Sequence, residues 1–219
     1  MATEPAWPRP EPVHLDAQVL VLDKPAGLLC VPGRGADKQD CLSARVQAHW
    51  PEAQIVHRLD MATSGLVLMA RGSAMQRHFS QCFAQRQIDK RYEALVWGTP
   101  AVPAGVAQTI DLPLAIDWPN RPRSRVDPAG KPSQTRWRLL GPGPWPGTSR
   151  LALEPLTGRT HQLRLHCLAM GHPILGDALY APPEALALSP RLCLHACALA
   201  WPDAQDPART HLALSPAPF

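Results

Sequence analysis

The chain has 219 residues, of which 45% are apolar and 18% are charged, and its formal net charge is +4 at pH 7. A chain of this length buries most of its potential surface in one core, so we expect a single domain. No apolar run approaches the length of a membrane span, and the proline-broken residues 1–10 lack the apolar centre of a secretory signal. We therefore expect a cytoplasmic protein without membrane contact. The small net charge neither identifies nor excludes a nucleic-acid partner.

Hydrophobic patterns in the first part of the chain predict two strands and two helices. Asp40 is expected to cap the first helix, because a carboxylate just before the first apolar position accepts a backbone N–H there. The predicted elements are a strand at 18–22, a helix at about 41–50, a buried strand at 66–70 and a helix at 73–87. The second helix places four expected core residues on one face, namely Met75, Phe79, Cys82 and Phe83.

Alternating apolar and polar side chains in the second part predict strands with one buried face at 92–96, 135–140 and 149–153. The glycine- and proline-rich residues 141–147 are expected to form a loop. A helix is predicted at 160–170, with Arg164 free to point into a cleft. The core side of this helix is expected to carry Leu163, Cys167 and Met170. The proline-rich residues 1–12 and 215–219 are expected to be flexible ends.

Cysteines occur without the Cys-x-x-Cys spacing that is typical of metal and redox sites. Each lies among apolar residues, so we expect buried, reduced thiols and no metal site. The six positions are Cys30, Cys41, Cys82, Cys167, Cys193 and Cys197.

Residues 57–66, HRLDMATSGL, place Asp60 between a cation and a turn, directly ahead of the buried strand. A carboxylate held at the edge of a rigid sheet is a candidate nucleophile. The hydroxyls and the glycine of residues 63–65 suit a tight turn, which would fix the direction of the carboxylate. The alternative is a surface ion pair between Asp60 and Arg58, since structural ion pairs outnumber catalytic ones.

Arginines alternate at Arg121, Arg123 and Arg125, shortly after Trp118. If this stretch is extended, the three guanidinium groups lie on one side. A guanidinium binds phosphate bidentately or stacks on a base, so such a stripe suits an RNA backbone. The alternative is a solvated charged loop.

The run at 57–68 resembles the signature motif of the RluA family of RNA pseudouridine synthases. Other segments match in the order of the family: KPAG at 24–27, KRY at 90–92, LTGRTHQLRLH at 156–166, GHPILGD at 171–177 and RLCLHA at 191–196. The resemblance covers the chain from about residue 19 to 199. Residues 111–114, 117–122 and 130–132 resemble the short members that act on both tRNA and 23S rRNA. Few residues precede the first predicted strand, so we expect no N-terminal S4 domain.

The resemblance implies a fold and a reaction. The fold would be the pseudouridine synthase α+β fold, with a mixed, largely antiparallel central sheet, flanking helices and a catalytic cleft. In the reaction, the bond between ribose C1′ and uracil N1 breaks, the base turns within the pocket, and it rejoins the sugar through C5. This isomerisation is expected to need no metal and no other cofactor.

The resemblance also implies roles for individual residues. Asp60 would be the nucleophile, Arg164 the cation that keeps it ionised, and Tyr92 the ring that stacks on the uracil and serves proton transfer at C5. Arg58 would fill the space left by the flipped nucleotide, and Leu163 would form an apolar wall of the uracil pocket. Further candidates for phosphate or pocket contacts are Lys24, Arg159, His161, Arg121 and Arg123.

The RNA target is expected to be an exposed loop, because the deep groove of an RNA helix hides its bases from side chains. The resemblance implies the tRNA anticodon stem-loop and a 23S rRNA hairpin, and we expect a short stem-loop to suffice. One alternative is a synthase of the same family with a different target uridine. Another is a catalytically idle RNA-binding protein. We expect a monomer.

Overall fold

The computed structural model describes residues 10–219. The chain divides into two compact units, one formed by Met1–Asp89 with Ala198–Pro216 and the other by Lys90–Cys197 with Ala217–Phe219. The strand β11 (Leu194–Pro202) begins in the second unit and continues in the first. That the two units act as one catalytic domain stays a prediction.

The first unit contains antiparallel strands and two α-helices. Its elements are β1 (Pro12–Leu15), β2 (Val19–Lys24), a short 3-10 helix (Ala36–Lys38), α1 (Leu42–Gln47), β3 (Ala53–Ile55), β4 (Ser64–Arg71), α2 (Gly72–Ala84) and β12 (Thr210–Leu214). β4 pairs with β2 and β3, β1 pairs with β2, and the second half of β11 pairs with β12. In the β2–β4 register, Lys24 lies opposite Gly65. This register places the end of β2 beside the turn that precedes β4.

The apolar face of α2 packs on β2, β4 and the part of β11 that belongs to this unit. Phe79 and Cys82 are buried in this core, and Met75 and Phe83 are partly buried against it. The prediction that these four residues face the core is therefore confirmed. Full burial of a side chain such as Phe79 contributes about 1.5–3 kcal/mol, so this face holds α2 against the strands.

The helix ends differ from the predicted ones. α1 has Cys41 at its N-cap and no side-chain cap hydrogen bond, so the predicted cap by Asp40 is wrong. Asp40 instead accepts two hydrogen bonds from the Arg45 guanidinium, each 2.6 Å long. These hydrogen bonds hold the pKa of the Asp40 carboxyl below its usual value.

Within residues 10–219, no helix combines the length and the apolar character that crossing a membrane requires.

The second unit contains the antiparallel strand order β5–β10–β9–β6 and a separate hairpin of β7 and β8. Its strands are β5 (Asp89–Trp97, whose first residue belongs to the first unit), β6 (Gln108–Asp111), β7 (Leu114–Ile116), β8 (Ser124–Val126), β9 (Gln134–Pro142) and β10 (Thr148–Pro155). Its helices are α3 (Gln162–Ala169) and α4 (Pro183–Ala187). These pairings confirm the predicted α+β class with a largely antiparallel sheet.

Strand β9 extends into the segment predicted to be a loop. Gly141 lies opposite Arg150 and Pro142 opposite Ser149, so the loop prediction is wrong for the first two of residues 141–147. The register shifts between Arg150 and Leu151, as expected of a bulge. Glycine and proline at the end of this strand therefore mark an irregular edge of the pairing and not its absence.

The chain ends are more ordered than predicted where they are described. Of the expected flexible residues 1–12, residues 1–9 lie outside the described residues, whereas β1 already begins at Pro12. At the other end, Ser215 Oγ donates to the Asp23 carboxylate at 2.5 Å. The carbonyl oxygen of Phe219 accepts a hydrogen bond from Arg150 at 2.5 Å. The prediction of a flexible end at 215–219 is therefore wrong, because long-range polar contacts hold it.

All six cysteines are free and buried, as predicted. Burial removes a thiolate from water and so favours the neutral thiol. It raises the pKa of Cys167 to about 12 and that of Cys197 to about 11.

Candidate active site

Asp60 lies in a turn that leads directly into β4. Its carbonyl oxygen accepts the N–H of Thr63 at 3.1 Å. Thr63 and Ser64 are buried, and Gly65 has a φ of +111°, in the region that favours glycine. The predicted tight turn ahead of a buried strand is therefore present.

The residues before Asp60 are anchored to the first unit. The Leu68 N–H donates to His57 Nε2 at 2.9 Å. Leu59 is buried, and its N–H donates to Cys30 Sγ at 3.2 Å. Asp60 itself remains partly exposed. The backbone around Asp60 is thus fixed, and the residue is not fully buried.

Lys24 anchors the residue after Asp60. This lysine is fully buried, although we predicted that it contacts phosphate or the substrate pocket. Its ammonium donates to the carbonyl oxygens of Pro25 and Leu28 at 2.8 Å each and to that of Met61 at 3.2 Å. An ammonium has three N–H donors, and these contacts link the end of β2 to the loop that carries Asp60. Lys24 therefore holds the Asp60 loop, and its contact with phosphate or the substrate pocket stays a prediction.

Lys24→Met is expected to destabilise the protein. The apolar side chain fills a similar volume but removes the donor of the Pro25 and Leu28 carbonyls, at about 1–3 kcal/mol for each one that stays buried and unsatisfied. The Met61 carbonyl keeps the Gly27 N–H at 2.8 Å. Urea unfolding measures the change. Lys38→Met, a change of an exposed lysine in the same unit, is the control and should change the free energy of unfolding by less than about 0.5 kcal/mol. Equal effects in the two variants would contradict the assignment.

A buried polar network holds α3 in the second unit. Gln162 Nε2 donates to the Gln134 carbonyl at 2.9 Å and to Thr135 Oγ1 at 3.0 Å. His166 Nε2 lies 3.1 Å from the Leu112 carbonyl oxygen, which can only accept, so this nitrogen carries the proton. His166 Nδ1 then accepts from the Thr135 hydroxyl at 2.9 Å. The neutral imidazole satisfies both partners.

The stability of the protein is expected to fall on acidification through His166. Burial lowers the pKa of this imidazole below its usual 6.5. The unfolded chain therefore binds a proton that the folded protein excludes, so this contribution is complete above about pH 6.5 and is lost as the pH falls below it. Urea unfolding at about pH 7.5 and pH 5.5 measures the loss. His166→Gln, which retains a donor and an acceptor, should show a weaker dependence, and an equal dependence would contradict this source.

Arg164 is buried and ion-paired, and that it points into a catalytic cleft stays a prediction. Its Nε donates to Asp177 Oδ2 at 2.7 Å and its Nη2 to Asp177 Oδ1 at 2.5 Å. Such a bidentate pair fixes the plane of the guanidinium. The Arg164 Cζ also lies 5.0 Å from the centre of the Tyr180 ring. The direction of this arginine is therefore set from two sides.

The other predicted site residues of the second unit are placed as follows. Tyr92 lies on β5 opposite Leu153 and is partly buried. Leu163 is buried on α3, next to Arg164. Arg159 is exposed, and its Nε donates to the Pro132 carbonyl at 3.2 Å. Only Leu163 and Arg164 thus share one buried helix.

Asp60 and Arg58 belong to the first unit, whereas Tyr92 and Arg164 belong to the second. Arg58 is exposed. Its predicted role, to fill the space that the flipped nucleotide leaves in the RNA stack, requires this exposure. That Asp60, Tyr92 and Arg164 meet at one substrate stays a prediction.

The predicted arginine stripe is a turn at the tip of the β7–β8 hairpin. Arg121 and Arg123 are exposed, and the Arg121 guanidinium lies 4.5 Å from the centre of the Trp118 ring. Arg125 is bound instead to Asp127, at 2.8 Å. The stretch is therefore not extended, because the chain reverses before Ser124, and the three guanidinium groups do not form a stripe along a strand.

Four residues that we assigned no role hold the predicted ones in place. Gln162 and His166 fix α3, whereas Asp177 and Tyr180 contact Arg164. The signal that could have found Asp177 is its position in the GHPILGD segment. Its partner is 13 positions away in the chain, beyond the reach of helical spacing.

One group of potential metal ligands occurs among residues 10–219. Ligand atoms of His14, Asp16 and His211 all lie within 4.8 Å of one another. His14 is 2.8 Å from Asp16, and His211 is 3.0 Å from Asp203. Hydrogen bonds from Gln18 and His211 hold the pKa of Asp203 well below its usual value. Carboxylate partners thus account for both imidazoles, and the absence of a metal stays a prediction.

Comparison with known proteins agrees with this fold and with these motifs. The sequence model of the RNA pseudouridylate synthase family matches residues 18–169. The chain is 48% identical over 185 residues to the dual-specificity RNA pseudouridine synthase RluA of Escherichia coli (strain K12), covering 84% of this chain and 83% of that protein. It is 47% identical over 200 residues to the protein of the same name from Pasteurella multocida (strain Pm70), covering 91% and 90%.

A solved structure is similar as well. Human RNA Pseudouridylate Synthase Domain Containing 1 superposes with a TM-score of 0.79 at 28% identity, covering 96% of this chain and 84% of that one. The chain therefore belongs to the RNA pseudouridine synthase family. It is an isomerase that converts uridine in RNA to pseudouridine. RNA is accordingly its substrate.

Proposed function

We propose that the protein isomerises uridines in two kinds of RNA, the anticodon stem-loop of tRNA and a hairpin of 23S rRNA. The high identity to relatives that are named dual-specificity synthases supports this proposal. That identity is the observation that carries the choice of RNAs, whereas the Asp60 turn, with anchored flanking residues and a partly exposed Asp60, supports the chemistry. We further propose that the protein acts as a monomer in the cytoplasm.

Asp60 acts as the nucleophile in this proposal. A carboxylate must be ionised to attack, and a nearby cation favours that form. Arg164 has this role, since its guanidinium is always charged and is held in one plane by Asp177. Tyr92 stacks on the uracil and serves the proton transfer at C5, and Leu163 forms an apolar wall of the pocket.

The β7–β8 hairpin supplies an RNA contact in this proposal. Trp118 is 64% exposed beside the exposed Arg121 and Arg123. An exposed aromatic ring and arginines together suit base stacking and phosphate contact. Arg58 enters the vacated stack when the target nucleotide flips. Arg159 and His161 are further candidates for contact with the RNA.

Replacing Arg121 and Arg123 by alanine is expected to weaken RNA binding and reduce its salt dependence. Each lost phosphate contact lowers the slope of log K against log salt concentration by about 1, so the double variant should lose about 2. Titration of a stem-loop at several salt concentrations measures the slope. Arg125→Ala is the matched control, since Asp127 already neutralises this arginine on the same hairpin, and its slope should stay near that of the wild type. Equal slopes in all three proteins would contradict the assignment of the hairpin.

Tritium release tests the proposed substrates. Short RNAs labelled with 5-tritiated uridine, one an anticodon stem-loop and the others 23S rRNA hairpins, lose tritium when C5 forms the new bond. We expect release from the stem-loop and from one rRNA hairpin, and none from hairpins with the same stem and a scrambled loop. Release from one RNA class only would favour a synthase of the same family with a different target. Activity only on whole ribosomal subunits or complete tRNA would contradict recognition of the loop alone, and tight binding without release would favour an idle binder.

A further inference from the structure

Arg164 is part of a chain of contacts that leads to the surface hairpin of the same unit. Its guanidinium is bound on one side by the Asp177 carboxylate, which is 1% exposed, and lies near the face of the Tyr180 ring on the other. The Tyr180 hydroxyl accepts the N–H of Ser124 at 2.9 Å. Ser124 is the first residue of β8, one position after Arg123. Two contacts thus separate the proposed catalytic cation from the proposed RNA-binding turn.

Asp177 holds the turn that carries Tyr180. Besides binding Arg164, its Oδ1 accepts the backbone N–H groups of Leu179 at 2.9 Å and Tyr180 at 3.2 Å. The preceding Gly176 has a φ of +69°, and a Cβ there would collide with the Arg191 carbonyl oxygen. A glycine is therefore required at this position. The backbone is thus fixed on the approach to Asp177 as well as in the turn that follows it.

His161 ties Tyr180 to the start of α3. Its Nδ1 lies 2.7 Å from the Tyr180 hydroxyl, and its φ of +57° is in the left-handed region that a residue with a side chain rarely adopts. Backbone in such a region is strained and persists where surrounding contacts fix it. His161 directly precedes α3, three positions before Arg164. The Tyr180 hydroxyl thus contacts both Ser124 of the hairpin and His161, the residue before α3.

We propose that Asp177 and Tyr180 are positioning residues for Arg164, and that the Tyr180 hydroxyl couples RNA contact at the β7–β8 hairpin to the orientation of this guanidinium. The proposal rests on the proposed function, in which Arg164 supports the nucleophile and the hairpin binds RNA. The Ser124–Tyr180 hydrogen bond already holds the ring that faces Arg164 without RNA. RNA bound to the hairpin keeps Ser124, and with it this ring and the guanidinium, in that position during the reaction.

Tyr180→Phe tests this coupling, since it removes the hydroxyl and keeps the ring against Arg164. We expect the single-turnover rate at saturating stem-loop RNA to fall about 10-fold or more, because small misplacements of catalytic groups are costly. The RNA dissociation constant, measured in the Asp60→Asn background, should change by less than about twofold, because the arginines of the hairpin remain. Ser149→Ala is the matched control, since it removes another buried hydroxyl of this unit, one that donates to the Gly98 carbonyl at 2.9 Å. Its rate should equal that of the wild type.

A double-variant cycle with Arg123→Ala reports the coupling itself. In the wild type, Arg123→Ala should lower the rate at saturating RNA, and in the Tyr180→Phe background its effect should be smaller, because the link is already broken. A rate for Tyr180→Phe equal to that of the wild type, or effects of the two variants that multiply independently, would overturn the proposal.

A measurement without RNA separates this proposal from the proposed substrates. The Nε–H signal of Arg164 in a nitrogen-15 NMR spectrum, assigned by its loss in Arg164→Lys, should be sharp in the wild type and in Ser149→Ala. In Tyr180→Phe this signal should broaden or split, because the Arg164 guanidinium then samples more than one orientation. An unchanged signal would overturn the positioning role whatever the activity. Absence of tritium release by the wild type, together with the broadened signal, would instead count against the proposed substrates alone.

Discussion

Asp60→Asn is expected to abolish pseudouridine formation while leaving the fold intact. The amide has nearly the same shape as the carboxylate but cannot act as an anionic nucleophile. Loss of the attacking group should lower the rate by at least about 10⁴-fold. Tritium release from the two labelled stem-loops measures the activity, and thermal unfolding checks that the variant is folded.

Asp40→Asn is the matched control in the same unit. This carboxylate is exposed and bound to Arg45, outside the turn that carries Asp60. Its loss should leave the rate within about twofold of the wild type, as expected of a surface substitution. If Asp60→Asn kept more than about a tenth of the wild-type rate, another group would have to be the nucleophile.

Arg164→Met is expected to cause a large loss of stability together with loss of activity. The change leaves the Asp177 carboxylate buried without its cation, and breaking a buried pair in this way costs about 3–5 kcal/mol. It also removes the cation assigned to the nucleophile. Urea unfolding measures the first effect, and single-turnover tritium release, at a temperature where the variant remains folded, measures the second.

A surface pair in the same unit provides the comparison. Arg138 Nη2 lies 2.8 Å from Glu154 Oε1, and its side chain is 41% exposed. Arg138→Met should lower the free energy of unfolding by less than about 1 kcal/mol, because water solvates the remaining carboxylate. Adding Asp177→Leu to Arg164→Met should recover only part of the stability, since Asp177 also holds the backbone N–H groups of Leu179 and Tyr180. A loss for Arg164→Met no larger than that for Arg138→Met would contradict the buried pair.

Hydrophobic spacing and turn-forming residues correctly predicted the elements that depend on neighbouring residues in the chain. The apolar face of α2 and the turn after Asp60 follow from spacing and from turn-forming residues, and both are present. The predicted ends of all three helices were inaccurate, because competing contacts decide where a helix stops. Asp40 illustrates this, since it binds Arg45 instead of capping α1.

Contacts between distant residues account for the parts that could not be predicted. Lys24 and Met61 are 37 positions apart, and only the paired strands bring them together to fix the Asp60 turn. A buried lysine is rare unless it is paired, so its sequence pattern favoured a surface role. Helical spacing identified the face that carries Arg164 but not its partner, because Asp177 lies outside the helix.

Because the six thiols are buried, their rates of alkylation report local unfolding of the protein. Burial raises the pKa of Cys167 to about 12 and that of Cys197 to about 11, so neither forms appreciable thiolate, the species that reacts with alkylating agents, while folded. Three cysteines lie in the first unit (Cys30, Cys41, Cys82) and three in the second (Cys167, Cys193, Cys197). Pulsed alkylation followed by peptide mass analysis therefore gives a separate opening free energy for each unit without added labels. Unequal protection of the two sets would identify the unit that opens first.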